Sequence, residues 1–378
     1  MMSIVHNQTI STTTPARVLV VLAGGTIGHS GRMDGGDPRT GYAAWDVLRA
    51  TLPLPSAWGI EVDGVALPSR SLEGAGPAMW VETARLIENK YADYDGFVVT
   101  DEISLLPYHA SALSYMIQDP NKPIILTGAN TSSLSGNFLT DNPRHLLGAV
   151  WWASWRGQRG ERIADVSLFF GDRLLQGNRA VLTEYGAGSD TFAASGQEQD
   201  RNLSRGTMIV RDGMRLDAGL IRLPAEQPTR FNPAMNLDNA LLIDLSSGIT
   251  FSGINHIELA QSSRVPALLV DVAANYRTRV EPRVGEKRGE ALLMLDLAQE
   301  GRLVCVRNQC QPSSHEAHAL ALAKGLVPMG TVTRAAAWTK LGYAMGQQDW
   351  NMEQRKRFLE RPFANDMGCS GLATLAFG

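Results

Sequence analysis

The sequence predicts an α/β protein: a parallel sheet covered by helices on both faces, followed by a second domain. Three observations predict it. Short, wholly apolar runs that end in glycine or polar residues read as strands buried on both sides. These runs alternate with helical patterns, the β-α-β-α rhythm of a parallel sheet. The rhythm breaks over residues 186–232, which are charged and interrupted by glycine and proline, and then resumes. At 378 residues the chain is long enough for two domains.

In chain order, residues 18–23 (Val-Leu-Val-Val-Leu-Ala) form the first expected strand and 95–100 the second. A helical face follows over 107–118. Residues 122–128 read as a third strand stopped by Gly128, 142–155 as a helix and 166–171 as a fourth strand. Beyond the break, strands are expected at 267–271 and 303–306, and helices at 290–300, 334–344 and 352–359. The segment 186–232 is expected to be extended or linking.

Composition excludes several classes. A hydrophobic content of 44% with 19% charged residues is that of an ordinary globular protein. A net charge of −3 gives no reason to expect nucleic acid or an anionic membrane as partner. No apolar run approaches the ~20 residues that cross a bilayer. Residues 1–16 are polar and rich in Ser and Thr, unlike a secretory signal, and read as a loose tail or a short covering segment. Three cysteines (Cys305, Cys310, Cys369) suggest no disulfide framework, and a cytoplasmic location is expected. No cofactor or metal is expected. Gly24-Gly25 with Gly28 falls short of a dinucleotide fingerprint, no lysine-bearing phosphate loop occurs, and His315 with His318 lacks the companions of a zinc site.

The most informative stretch is Gly24-Gly25-Thr26-Ile27 at the end of the first strand. Glycine allows a tight turn and close approach of a ligand, so Gly25 can contact substrate while Thr26 presents its hydroxyl. In open α/β sheets ligands bind at that end of the strands. An ordinary strand-to-loop turn with a surface threonine is the plainer reading.

Gly-Gly-Thr-Ile followed by a small residue resembles the first signature of the bacterial L-asparaginase family, where the threonine is the nucleophile. The resemblance extends along the chain. Tyr94-Asp95-Gly96-Phe97-Val98-Val99-Thr100 is similar to the strand before the family's second signature. Ala110-Ser111-Ala112-Leu113-Ser114-Tyr115-Met116 resembles the helix after it, as in the type I, cytoplasmic branch. Lys122-Pro123-Ile124-Ile125-Leu126-Thr127-Gly128-Ala129, Gly177-Asn178-Arg179-Ala180, Asn308-Gln309-Cys310 and 330–341 continue it. The resemblance implies a larger N-terminal doubly wound domain over 17–215, a linker over 216–238 and a smaller C-terminal α/β domain over 239–378. It also implies a homodimer or homotetramer and a small amino-acid-like ligand.

The departures fall on catalytic positions. The family's His-Gly-Thr-Asp-Thr is replaced by Asp101-Glu102-Ile103-Ser104-Leu105, and its catalytic lysine by Leu182. Isoleucine and leucine neither accept a proton nor donate a hydrogen bond. A threonine hydroxyl needs such help to attack an amide, so the family's Thr-Lys-Asp mechanism is not expected here. Asp101 and Glu102 are candidate replacement bases; the alternative is that they are solvated loop acids capping the next helix. Ser104 either bonds a ligand or serves as a cap. Tyr42, beyond the glycine-rich stretch 31–37, is the candidate for the family's loop tyrosine, or an anchor for that loop. Ser69 and Arg70, before Trp80, resemble the segment that holds the substrate's α-carboxylate and α-amino groups, with Arg70 a planar partner for a carboxylate or a surface arginine.

Two classes of function remain. One is an amidohydrolase, or an acyl-transfer or cyclising relative, acting through Thr26 with a rebuilt base. The other is a binding or regulatory protein that keeps the cleft without turnover.

Overall fold

The computed structural model describes residues 15–27, 45–51, 58–71, 76–129, 141–157, 159–184, 191–194, 207–209, 215–217, 220–245, 265–272, 290–308, 325–330, 332–364 and 366. The chain divides into two compact units, Met1–Pro233 and Ala234–Gly378.

The first unit is built on β1 (Ala16–Gly24), β2 (Ile60–Ser71), β3 (Gly96–Thr100), β4 (Ile124–Thr127), β5 (Val166–Phe170) and β6 (Arg173–Gln176). Five of these lie side by side in parallel, in the order β2-β1-β3-β4-β5, and β6 returns antiparallel through the Gly171–Asp172 turn. The apolar run of β1 suits a place between two neighbouring strands, since residues 18–25 are all buried.

Helix α1 (Trp45–Thr51) lies between β1 and β2, α2 (Pro77–Lys90) between β2 and β3, α3 (Leu106–Met116) between β3 and β4, and α4 (Asp141–Ser154) between β4 and β5. Helix α4 packs Leu146, Ala149, Val150, Trp152 and Ala153 on the face formed by Val18, Val20, Leu22, Val98 and Ile125, together with Leu48 of α1. Gly96 permits this approach: a Cβ there would overlap the Ala153 carbonyl. Helices α2 and α3 pack on each other and cover the opposite face. The sheet is therefore doubly wound. The β3-α3-β4 and β4-α4-β5 connections advance in the same direction with helices on opposite faces, so they have opposite hands and one departs from the usual right-handed rule.

Several strands of the first unit, β6 among them, were not foreseen in the sequence. β2 is an edge strand among the described residues and alternates (Ile60-Glu61-Val62-Asp63) rather than forming an apolar run. In the segment expected to be extended or linking, β9 (Thr207–Ile209) and β10 (Arg215–Asp217) add to the sheet beyond β6. That follows a separate hairpin of β7 (Ala180–Glu184) and β8 (Thr191–Ala194). Within the expected linker, Ile221–Arg222 pairs with Arg162–Ile163 and Arg230–Phe231 with Ile117–Gln118, all inside the first unit.

The second unit holds a parallel sheet in the order β11 (Ala240–Leu245), β12 (Ala267–Val272), β13 (Leu303–Asn308), β14 (Val327–Pro328). Among its described residues the helices are α5 (Glu290–Gln299), α6 (Arg334–Gly346) and α7 (Met352–Glu360). Strand β11 was also not foreseen. Thr333 caps α6 by accepting from the Ala336 N–H at 3.0 Å, and Asn351 with Gln354 forms a capping box on α7.

Candidate active site

In the order β2-β1-β3, the chain leaves β1 to one side and returns on the other, so the topological switch point lies between β1 and β3. Thr26 follows β1 and Asp101 follows β3, which places both at the ligand-binding end of the sheet. Threonines stitch the strand ends together. Thr100 Oγ1 donates to the Gly24 carbonyl at 3.4 Å, and Thr127 Oγ1 to the Phe169 carbonyl at 2.9 Å.

The turn itself depends on glycine. Gly25 has φ +76°, and a Cβ there would overlap the Asp101 carbonyl and lie 2.7 Å from Glu102 N. On the other side, a Cβ on Gly128 would lie 2.6 Å from the same Asp101 oxygen. The Asp101 carbonyl is thus held between two glycine backbones, while the Asp101 N–H donates to the Thr127 carbonyl at 3.1 Å. His145 anchors the neighbouring strand end. Its Nδ1 donates to the Gly128 carbonyl at 2.9 Å and its Nε2 accepts from the Gly171 N–H at 3.0 Å, so the ring is neutral with a fixed tautomer.

Thr26 is half-buried, and its hydroxyl donates to the Ala129 carbonyl. Among the described residues no carboxylate or imidazole is hydrogen-bonded to it. A carbonyl accepts a hydrogen bond but takes no proton at neutral pH, so this contact holds the side chain without activating it.

The two acids have separate partners. Asp101 is fully buried, which corrects the alternative of a solvated loop acid. Its Oδ1 accepts from the Glu102 N–H at 2.8 Å, and its Oδ2 pairs with His109 Nδ1 at 2.9 Å. Glu102 is the cap that the sequence allowed: its Oε2 accepts from the Ser104 N–H at 2.8 Å and from the Ser104 hydroxyl, closing the short 3-10 turn Ile103–Leu105. Ile103 is buried against Gly128 and Leu106 is fully buried, so the surroundings of Ile103 are apolar and closed.

His109 is the residue that sequence reasoning missed. It sits on the second turn of α3, fully buried, and read as part of an apolar helix face. The available signal was an aspartate at a strand end eight residues earlier. Because Asp101 accepts at Nδ1, the other ring nitrogen is left to a separate partner. Among the described residues neither His109 Nε2 nor the neighbouring Trp80 Nε1 has one, and their ring centroids are 6.3 Å apart. An unsatisfied buried polar atom costs about 1–3 kcal/mol.

The remaining expectations divide. Ser69 and Arg70 lie on β2, whose Ser71 is in register with Gly24 after an irregularity, so their backbone shares the sheet end with Thr26. Their side chains, and the whole of Tyr42, lie outside the described residues, as do His315, His318, Cys310 and Cys369. Leu182 is half-buried on β7, in register with Phe192. Cys305 is buried, and burial pushes its thiol well above the ordinary range. Among the described residues no group of three or more His, Cys, Asp or Glu could hold a metal ion. No helix among them is long and apolar enough to cross a membrane.

A doubly wound sheet with a glycine-turned threonine at its switch point defines the class: an α/β protein whose candidate nucleophile is a strand-end hydroxyl. Comparison with known proteins gives the family. The model described as "Asparaginase, N-terminal" matches residues 17–209. The chain is 26% identical over 358 residues to the L-asparaginase of Thermococcus kodakarensis, covering 93% of this chain and 99% of that protein. It is 28% identical over 393 residues to the human 60 kDa lysophospholipase, covering 93% of this chain but 61% of that longer protein. The crystal structure of L-asparaginase I from Vibrio cholerae superposes with a TM-score of 0.71 at 20% identity, covering 94% of this chain and 100% of that one. The chain belongs to the asparaginase family, and the asparaginases among these relatives are amidohydrolases, hydrolases of carbon–nitrogen bonds.

Proposed function

We propose that this protein hydrolyses the amide, or transfers the acyl group, of a small amino-acid-like substrate with Thr26 as nucleophile, without the Thr-Lys-Asp set of its family. The half-buried hydroxyl on the Gly25 turn at the switch point carries this reading. Attack on the substrate carbonyl requires Thr26 to exchange its contact with the Ala129 carbonyl for a proton acceptor. Of the two acids, Asp101 is sealed with His109. Glu102 is half-buried, and its Oε1 has no hydrogen-bond partner among the described residues, so the base role falls to Glu102. Gly25 and Ser104 line the approach, Ser69 and Arg70 hold the α-carboxylate end, and Tyr42 assists from its loop. The protein is read as a cytoplasmic homodimer or homotetramer.

The test compares wild type with Thr26→Ala and Glu102→Gln on asparagine, glutamine and a panel of other amides and esters. Loss of a positioned base is expected to slow turnover by roughly 10²–10⁴-fold, and loss of the nucleophile by at least as much. Equal rates in wild type and Thr26→Ala remove Thr26 from the mechanism.

Buried Ile103 and the apolar Leu182 favour a second reading, a ligand-binding protein without turnover. Saturable binding of an amino acid with no product from any panel member supports it.

A further inference from the structure

The Asp101–His109 pair lies behind the strand ends and has no part in the reaction just proposed. We infer that His109 is a positioning residue. Acting through Asp101, it sets the backbone of residues 100–102 against Gly25 and so fixes the turn that carries Thr26.

The contacts form a continuous path. His109 stands on α3, a helix buried along nearly its whole length. Its Nδ1–H donates to Asp101 Oδ2 at 2.9 Å, and both side chains are 0% exposed. A second bond, from Glu102 N–H to Asp101 Oδ1 at 2.8 Å, ties the same carboxylate to the following peptide. The carbonyl of Asp101 occupies the space that a side chain on Gly25 or Gly128 would need. No slack separates Asp101 from Gly25, so movement of one displaces the other. A buried carboxylate also stays where it is only while its acceptor oxygens are satisfied. Without the imidazole donor, Asp101 turns toward water, its carbonyl leaves the two glycines, and the Thr26 turn loses its wall.

The two ring nitrogens give distinct predictions. Asparagine at 109 places an N–H donor near the Nδ1 position, whereas glutamine, one methylene longer, reaches the Nε2 position instead. Hydrogen–deuterium exchange of the full chain in wild type, His109→Asn, His109→Gln and His109→Leu reads the turn directly, without substrate. Asn is expected to stay near wild type. Gln and Leu are expected to speed exchange of amides 23–27 and 100–104 by about tenfold or more, while β5 is unchanged. Unchanged exchange at 23–27 in Gln and Leu overturns the proposal, as does a uniform rise over the whole sheet. If His109→Leu does not fold, the Asn and Gln pair decides.

The consequence for turnover rests on Thr26 as the reacting residue. On any amide that wild type hydrolyses, Gln is expected to lower kcat with KM nearly held, and Asn to restore it. Absence of turnover by wild type counts against the proposed hydrolysis, and the exchange pattern still judges His109.

Discussion

The α-carbon of Gly25 faces the main-chain carbonyl of Asp101 with no room for a side chain between them. The closing of β1 against β3 is therefore a backbone-to-backbone contact, and a positive φ at residue 25 is what permits it. Gly25→Ala adds both the left-handed penalty, about 1–2 kcal/mol, and an overpacking cost of about 1–3 kcal/mol. Urea unfolding is expected to show the sum, about 2–5 kcal/mol. A loss below about 0.5 kcal/mol would mean that the two strand ends part easily.

Much of the first unit was legible because its strands are buried on both faces. An uninterrupted apolar run such as 18–23, short and ended by glycines, suits a strand covered on both faces. β2 was not read because one face is less covered and Gly64 and Pro68 interrupt it. Yet Gly64 is required there, since a Cβ would overlap the Trp45 ring of α1. That contact is made by chain segments far apart in sequence and leaves no local pattern. The candidate site was legible only where its residues are neighbours in sequence. Thr26 and its glycines are contiguous, and their chemistry is visible in four letters. The Asp101–His109 pair is made by a strand end and a helix, and a histidine among alanines and leucines looks like core until the fold brings the carboxylate to it. Glu102 was readable as a cap because capping is local.

His109 Nε2 and Trp80 Nε1–H are a buried acceptor and a buried donor on adjacent rings. One water accepting from the indole and donating to the imidazole satisfies both, as buried waters commonly do. A high-resolution crystal structure is expected to show it within about 3.2 Å of each nitrogen. A dry gap, with both atoms still unpartnered, would contradict this.

Ile103→Thr adds the hydroxyl that the family resemblance implies for this position, but into a closed apolar site. The new hydroxyl meets Gly128 and Leu106, with no proton acceptor supplied by either side chain. The expected outcome is a stability loss of about 1–3 kcal/mol with no gain in asparagine hydrolysis. A gain of tenfold or more from this single change, measured as ammonia release, would show that the site lacks only the threonine.

In the second unit, Lys340 and Asp366 form an ion pair with both side chains 0% exposed, Nζ to Oδ2 at 2.8 Å. Lys340 also donates to the Arg361 carbonyl at 2.6 Å, and Asp366 Oδ1 accepts from the Phe363 N–H at 3.0 Å. The pair thus fastens the segment after α7 onto α6. Lys340→Met removes the cation that faces the buried Asp366 carboxylate, an expected loss of about 3–5 kcal/mol by urea unfolding. Adding Asp366→Leu removes that carboxylate and is expected to recover much of that loss. The pH dependence has a definite sign. Burial lowers the Lys340 pKa, with Asp366 only partly offsetting it. Between that lowered value and the unfolded value near ~10.4, the unfolded chain holds more protons. Stability contributed by this group therefore rises with pH across the window, reaching its full gain above the unfolded value. Wild type should gain on Lys340→Met in unfolding midpoint as pH is raised from about 8 to about 10. A difference between the two proteins that stays flat over that range would mean Lys340 gives up its proton no more readily in the fold than in the unfolded chain.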